Sequence, residues 1–211
     1  MKMKEKEEDN FTEYSIDDEQ QEEILTLGKI WKIMFATMGL PADGWSMLRD
    51  KNVSPNQVIP GFFIPLCILA ALSNFFTLIY DSQLAYSDLF VNIVITFFSF
   101  FLGYYLAILM GRLLLPKADR EFPMTRFGRL MIIVGISTLL LFKILMFALP
   151  MFDFIIEFFP IWTVYLLYKG LAKSDLNENK ISYSLGVICV VIIASPVLVE
   201  WLLSLLTPQS A

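Results

Sequence analysis

Lys143, Asp153 and Glu157 are the ionisable residues of the stretch KILMFALPMFDFIIEFFP, which is otherwise apolar or proline, and Glu200 stands alone in a second apolar run, SPVLVEWLLSLL. One ammonium and three carboxylates at a common depth pair at a wet rim with water nearby, or they hold an ion or a lipid headgroup. Asn74, late in a third apolar run, is the best uncharged neighbour for such a cluster because its amide both donates and accepts.

Other chemistry is poorly provided for. The chain has no His and two Cys, Cys67 and Cys189, which lie in separate apolar stretches without metal-ligand spacing. It shows no nucleophile beside a base, no mid-depth carboxylate pair and no phosphate-binding glycine loop. An enzyme, a metal site and a cofactor are therefore not expected.

The elements that must position the charged residues are membrane helices. Mean hydropathy is +0.62, 56% of residues are hydrophobic and 18% are charged, a balance that makes lipid the solvent for most of the chain. The net charge of -5 comes from one end: residues 1–23 hold ten acids and three lysines, leaving the remainder at +2. That segment has no apolar signal core and reads as an acidic, disordered cytoplasmic tail.

A bilayer core takes about 20 apolar residues per helix. Five stretches approach or exceed that length, at about 58–80, 89–111, 127–149, 154–172 and 181–203. Arg and Lys then set the direction, because cytoplasmic connections are enriched in them. Lys29, Lys32, Arg49 and Lys51 precede the first stretch; Arg112, Lys117, Arg120, Arg126 and Arg129 separate the second and third; Lys169, Lys173 and Lys180 separate the fourth and fifth. The connections on the other side carry only acids, Asp81, Asp88 and Asp153.

The expected fold is an all-α integral membrane protein with five transmembrane helices over 58–206, the N-terminus cytoplasmic and the C-terminus outside, ending in a short tail at 207–211. Residues 24–57 supply an interfacial amphipathic helix and a linker. Lys29 and Lys32 would face headgroups there, while Trp31 and Trp45 would mark the membrane boundary. A short sixth span at 24–40 is the alternative, and the charge pattern opposes it.

Gly103, Ala107 and Gly111 recur every four residues and form a smooth stripe for close helix approach, with weaker versions at Gly128 and Gly135. Packing within the bundle is preferred over dimerisation for this stripe. If the third span starts near Arg126, Lys143 lies about 25 Å along it at 1.5 Å per residue, in the outer half of the membrane. Asp153, Glu157 and Glu200 reach a comparable level, so a structural ion cluster near helix ends is favoured over a functional site.

Two stretches resemble a known family. GLPADGWSMLRDKNVSPNQVIPGFFIPLCILAAL, from Gly39 to Leu72, is similar to the start of the Yip domain (Ypt/Rab-interacting integral membrane proteins), especially its bacterial branch. Pro41, Trp45 and Pro65 match that pattern. IWTVYLLYKGLAKSD resembles the end of the family's fourth span, through Tyr165, Tyr168 and Gly170. The resemblance implies five spans, a cytoplasmic N-terminus and a bacterial inner-membrane location. It implies no Rab binding, because the Asp-Leu-Tyr-Gly-Pro motif of the eukaryotic members is absent. The expected function is a non-enzymatic membrane adaptor or organiser with lipids, and proteins met through its N-terminal segment, as partners. The alternative is a small transporter or lipid translocator using the outer ionic cluster.

Overall fold

A computed structural model describes residues 26–80, 86–152, 154, 158–174 and 181–207. Among them every regular element is helical. The expected acidic tail, with Asp153 and Glu157, lies outside the described residues.

Helix α1 (Leu27–Gly39) and helix α2 (Pro41–Asp50) form a tight hairpin. Leu40 leaves the helical region, with φ of -127°, because the following proline disfavours it there, and Pro41 then opens α2 where its missing N–H costs nothing. The crossing is close enough that a Cβ on Gly44 would overlap the Thr37 backbone.

Four longer helices follow the membrane pattern: α3 (Pro55–Tyr80), α4 (Tyr86–Leu114), α5 (Arg126–Ala148) and, last in the chain, α7 (Ile181–Leu206). These four are long and apolar enough to cross a bilayer. Between α5 and α7 runs α6 (Phe159–Leu171), whose thirteen described residues extend about 20 Å at 1.5 Å per residue. That is short of a bilayer core of about 30 Å. Outward faces stay apolar, as at Leu69, Phe90, Leu109, Val190 and Leu205, so these surfaces suit lipid rather than water.

Contacts fix the relative directions. Gly135 approaches Ile192, and Lys143 meets Glu200. Both pairs are 57 apart in sequence (192 - 135 and 200 - 143), the constant offset of parallel helices α5 and α7. Gly103 lies against Pro196, and Leu114 shares a cleft with Ser182 and Tyr183, so α4 runs antiparallel to α7. Arg126 Nε donates to the Val53 carbonyl at 2.8 Å, placing the starts of α3 and α5 at one end, and Arg49 donates to the Lys173 carbonyl at 2.9 Å, bringing the end of α6 there too. This end is basic. At the opposite end the Tyr80 hydroxyl donates to the Ala148 carbonyl at 3.0 Å.

Helix α3 is irregular where its prolines require it. Residues Ile59–Phe63 form one π-helical turn, and Pro65 has no N–H for the Gly61 carbonyl four residues earlier. The Trp31 indole N–H donates to that carbonyl at 2.9 Å, with its ring 4.8 Å from Phe62. Trp31 is thus bonded to α3 while part of its ring stays exposed. The buried side of α1, Ile30, Ile33, Met34 and Met38, joins the common core, while Lys29 and Lys32 are exposed.

A coupling experiment follows. Trp31→Phe should lower the thermal midpoint by an amount reflecting the lost bond, roughly 1 kcal/mol. In a Pro65→Ala background, where an amide can serve Gly61, the same substitution should cost measurably less. Equal losses in both backgrounds would show that the indole does not substitute for the missing amide.

Candidate functional site

The site is built where α3, α4, α5 and α7 reach the end opposite the basic residues. Lys143 Nζ donates to Glu200 Oε1 at 2.9 Å and to Oε2 at 3.1 Å. The parallel register of α5 and α7 sets this pairing. Lys143 stands about 25 Å from the start of α5, and Glu200 about 28 Å from the start of α7, by helical rise. The ammonium also lies 5.6 Å from the centre of the Phe100 ring and 6.0 Å from that of Phe147, so π faces flank the cation.

Asn74 enters from α3, in a 3-10 turn over Ser73–Phe76. Three short polar side chains serve carbonyls in and around this turn: Ser73 donates to Ala70 at 2.7 Å, Asn74 Nδ2 to Ala71 at 2.9 Å and Thr77 to Asn74 at 2.6 Å. A tightened turn inside a long membrane helix needs such local satisfaction. Asn74 Nδ2 also donates to Thr96 Oγ1 on α4 at 3.2 Å.

These groups line an open cavity of about 500 Å³ that includes Asn74, Tyr80, Asn92, Thr96, Lys143 and Glu200. The structure thus brings together three of the five residues expected in the ionic cluster, Lys143, Glu200 and Asn74. Asn92 and Thr96 were not anticipated. Their spacing of four on one helix is the signal that could have shown them as one polar face, but each is a single weakly polar interruption in an apolar run. Among the described residues no group of three or more His, Cys, Asp or Glu is placed to hold a metal.

The small-residue positions face the chain itself. A Cβ on Gly103 would lie 3.1 Å from the Cα and N of Pro196, and one on Gly111 would lie 3.0 Å from Pro123. Ala107 between them is fully buried. Gly128, at the start of α5, has the Phe122 carbonyl where a Cβ would project, and its amide donates to the capping Thr125 hydroxyl at 3.0 Å. Gly135 meets Ile192 and Leu167.

Trp45 is fully enclosed by protein: its ring is covered by Phe127, at a centroid distance of 5.4 Å, and by the bare backbone of Gly170. Its indole donates to the Leu166 carbonyl at 2.9 Å. Trp162 makes a matching bond from α6 to the Met38 carbonyl at the end of α1, also 2.9 Å. Trp45 on one side and Gly170 on the other, residues of the two family-like stretches, therefore meet in space, while Pro41 shares a cleft with Tyr165, and Tyr165 and Tyr168 remain exposed. No family model, curated protein or solved structure matches the chain.

Proposed function

We propose that the chain is a non-enzymatic, Yip-like multi-pass protein of the bacterial inner membrane that serves as an adaptor or organiser. One observation carries this reading. The α1–α2 hairpin, which directly follows the acidic residues 1–23 in the sequence, is fixed to the bundle by indole-to-carbonyl bonds from Trp31, Trp45 and Trp162. A charged arm on a fixed mount suits recruitment of partners at a membrane surface.

In this proposal α6 and the residues before it complete a fifth crossing. The basic end then faces the cytoplasm and the ionic cavity faces outside. Deleting residues 1–40 would remove Met34 and Met38 from the core, so the informative deletion is residues 1–25. One pair of samples tests both parts, the chain with and without residues 1–25, each carrying Ala211→Cys; the native cysteines are both buried. Expected results are loss of co-purifying proteins on deletion, and labelling of the new thiol by an impermeant reagent from outside. An unchanged partner set would remove the adaptor, and labelling only after lysis would remove the fifth crossing.

The cavity around Lys143 and Glu200 favours a second reading, a small lipid translocator. Lipid scrambling in proteoliposomes that disappears in the double variant Lys143→Met, Glu200→Leu would select it; absence of scrambling by the unaltered chain would discard it.

A further inference from the structure

We infer that the cavity lined by Lys143, Glu200, Asn74, Asn92, Thr96 and Tyr80 is a binding site for the zwitterionic headgroup of an outer-leaflet phospholipid bearing a primary amine. The inference rests on the outward placement of the cavity, and it holds whether the protein acts as an adaptor or a translocator.

Charge decides the class of ligand. The site contributes one ammonium and one carboxylate, already paired at 2.9 Å. A lone anion that took Lys143 would strip Glu200 of its cation, and a lone cation that took Glu200 would strand Lys143; each exchange leaves a charge uncompensated in a medium that solvates it poorly. A ligand carrying both signs replaces both halves of the pair. Its phosphate accepts from Lys143 while its ammonium donates to Glu200, so the number of charge-assisted bonds rises without a net charge being buried.

The remaining lining fits a primary amine. An ammonium has three donors, and after Glu200 the cavity offers the amide and hydroxyl oxygens of Asn92, Thr77 and Thr96 as candidate acceptors. Asn74 is held against Thr96 and the Ala71 carbonyl, so the wall is arranged before any ligand arrives. The volume, about 500 Å³, lies within the roughly 300–1,000 Å³ common for small-molecule sites. The cavity lies at the helix ends beside Tyr80 and Pro150, which is the outer-leaflet end of the bundle if the basic end faces the cytoplasm.

The test uses the full chain in detergent, with lipid retention read by native mass spectrometry and stabilisation by thermal shift. Short-chain phosphatidylethanolamine, phosphatidylcholine, phosphatidylglycerol and free phosphoethanolamine are the probes. Phosphatidylethanolamine is expected to be retained about tenfold or more better than the others, the size of one good charge-assisted contact. The variant Lys143→Met, Glu200→Leu, whose apolar pair preserves the α5–α7 contact, should lose that preference while its own midpoint stays near that of the unaltered chain. Asn92→Leu should weaken retention without touching the ion pair. Equal retention of phosphatidylglycerol, or a preference that survives in the double variant, would overturn the assignment. Equal binding of phosphatidylcholine would overturn the primary-amine requirement, and equal binding of free phosphoethanolamine would overturn the lipid as its source.

Discussion

Truncating Trp45 to alanine is expected to destabilise the protein more than any other single side-chain truncation, by roughly 3–5 kcal/mol, the range for emptying a buried aromatic site. Trp45 is fully buried, its ring touches α5 through Phe127 and α6 through Gly170, and its N–H donates across 121 positions of sequence to the Leu166 carbonyl. Removing it opens a void between three helices at once. Trp45→Phe isolates the polar part. It keeps much of the ring and forfeits the N–H, so a loss of about 1 kcal/mol is expected. Gly170→Ala tests the fit from the other side, because the added methyl would lie 2.8 Å from Trp45 Cε2. That crowding should be relieved when the indole is shortened, so the double variant Trp45→Phe, Gly170→Ala should be more stable than the sum of its parts predicts. Thermal unfolding in detergent, followed by near-ultraviolet circular dichroism, reads the four variants against the unaltered chain. A Trp45→Ala midpoint within a degree or two of the unaltered chain would mean that α2 is not anchored as described.

How far the sequence alone could lead is clearest at the individual residues. Four membrane helices were legible because a run of twenty or more apolar residues has few alternatives, and α3, α4, α5 and α7 all fall on such runs. The fourth expected span was weaker for a visible reason: Pro160 stands near the start of α6, and the described helix is thirteen residues long. The partner of Lys143 was not legible. Glu157 and Glu200 reach similar depths, and only the register of α5 against α7, a tertiary property, selects Glu200 among the described residues. The enclosure of Trp45 was not legible, because an indole near a membrane segment ordinarily suggests the interface and sequence carries no sign that Gly170 leaves a slot for it. The stripe of Gly103, Ala107 and Gly111 was legible as a packing surface, but its counterparts Pro196 and Pro123 were not, since shape complementarity between distant segments leaves no local pattern.

Breaking the Lys143–Glu200 pair from either side is expected to cost stability, whereas removing both charges together is not. A fully buried pair loses about 3–5 kcal/mol when one partner is removed, and an exposed pair about 0–1 kcal/mol. Here the side chains keep 21% and 43% of their exposure, so an intermediate loss of roughly 1–3 kcal/mol is the reasonable expectation for each single change. The two changes should differ. After Glu200→Leu the ammonium still has the rings of Phe100 and Phe147 near it, and its long stem can carry it outward. After Lys143→Met the carboxylate has no cation at the distance Lys143 occupied, and a shorter stem to escape on. Lys143→Met should therefore be the more damaging. The double variant Lys143→Met, Glu200→Leu replaces the pair by apolar contact in an apolar medium and should return to within about 1 kcal/mol of the original. Thermal midpoints of the four proteins in one detergent decide the matter. A double variant about as unstable as either single variant would show that the pair itself holds α5 against α7, whereas losses that simply add would show that the two side chains do not act as a pair. Full recovery would show that the bundle stands without it, as expected where apolar contact replaces an ion pair in an apolar medium.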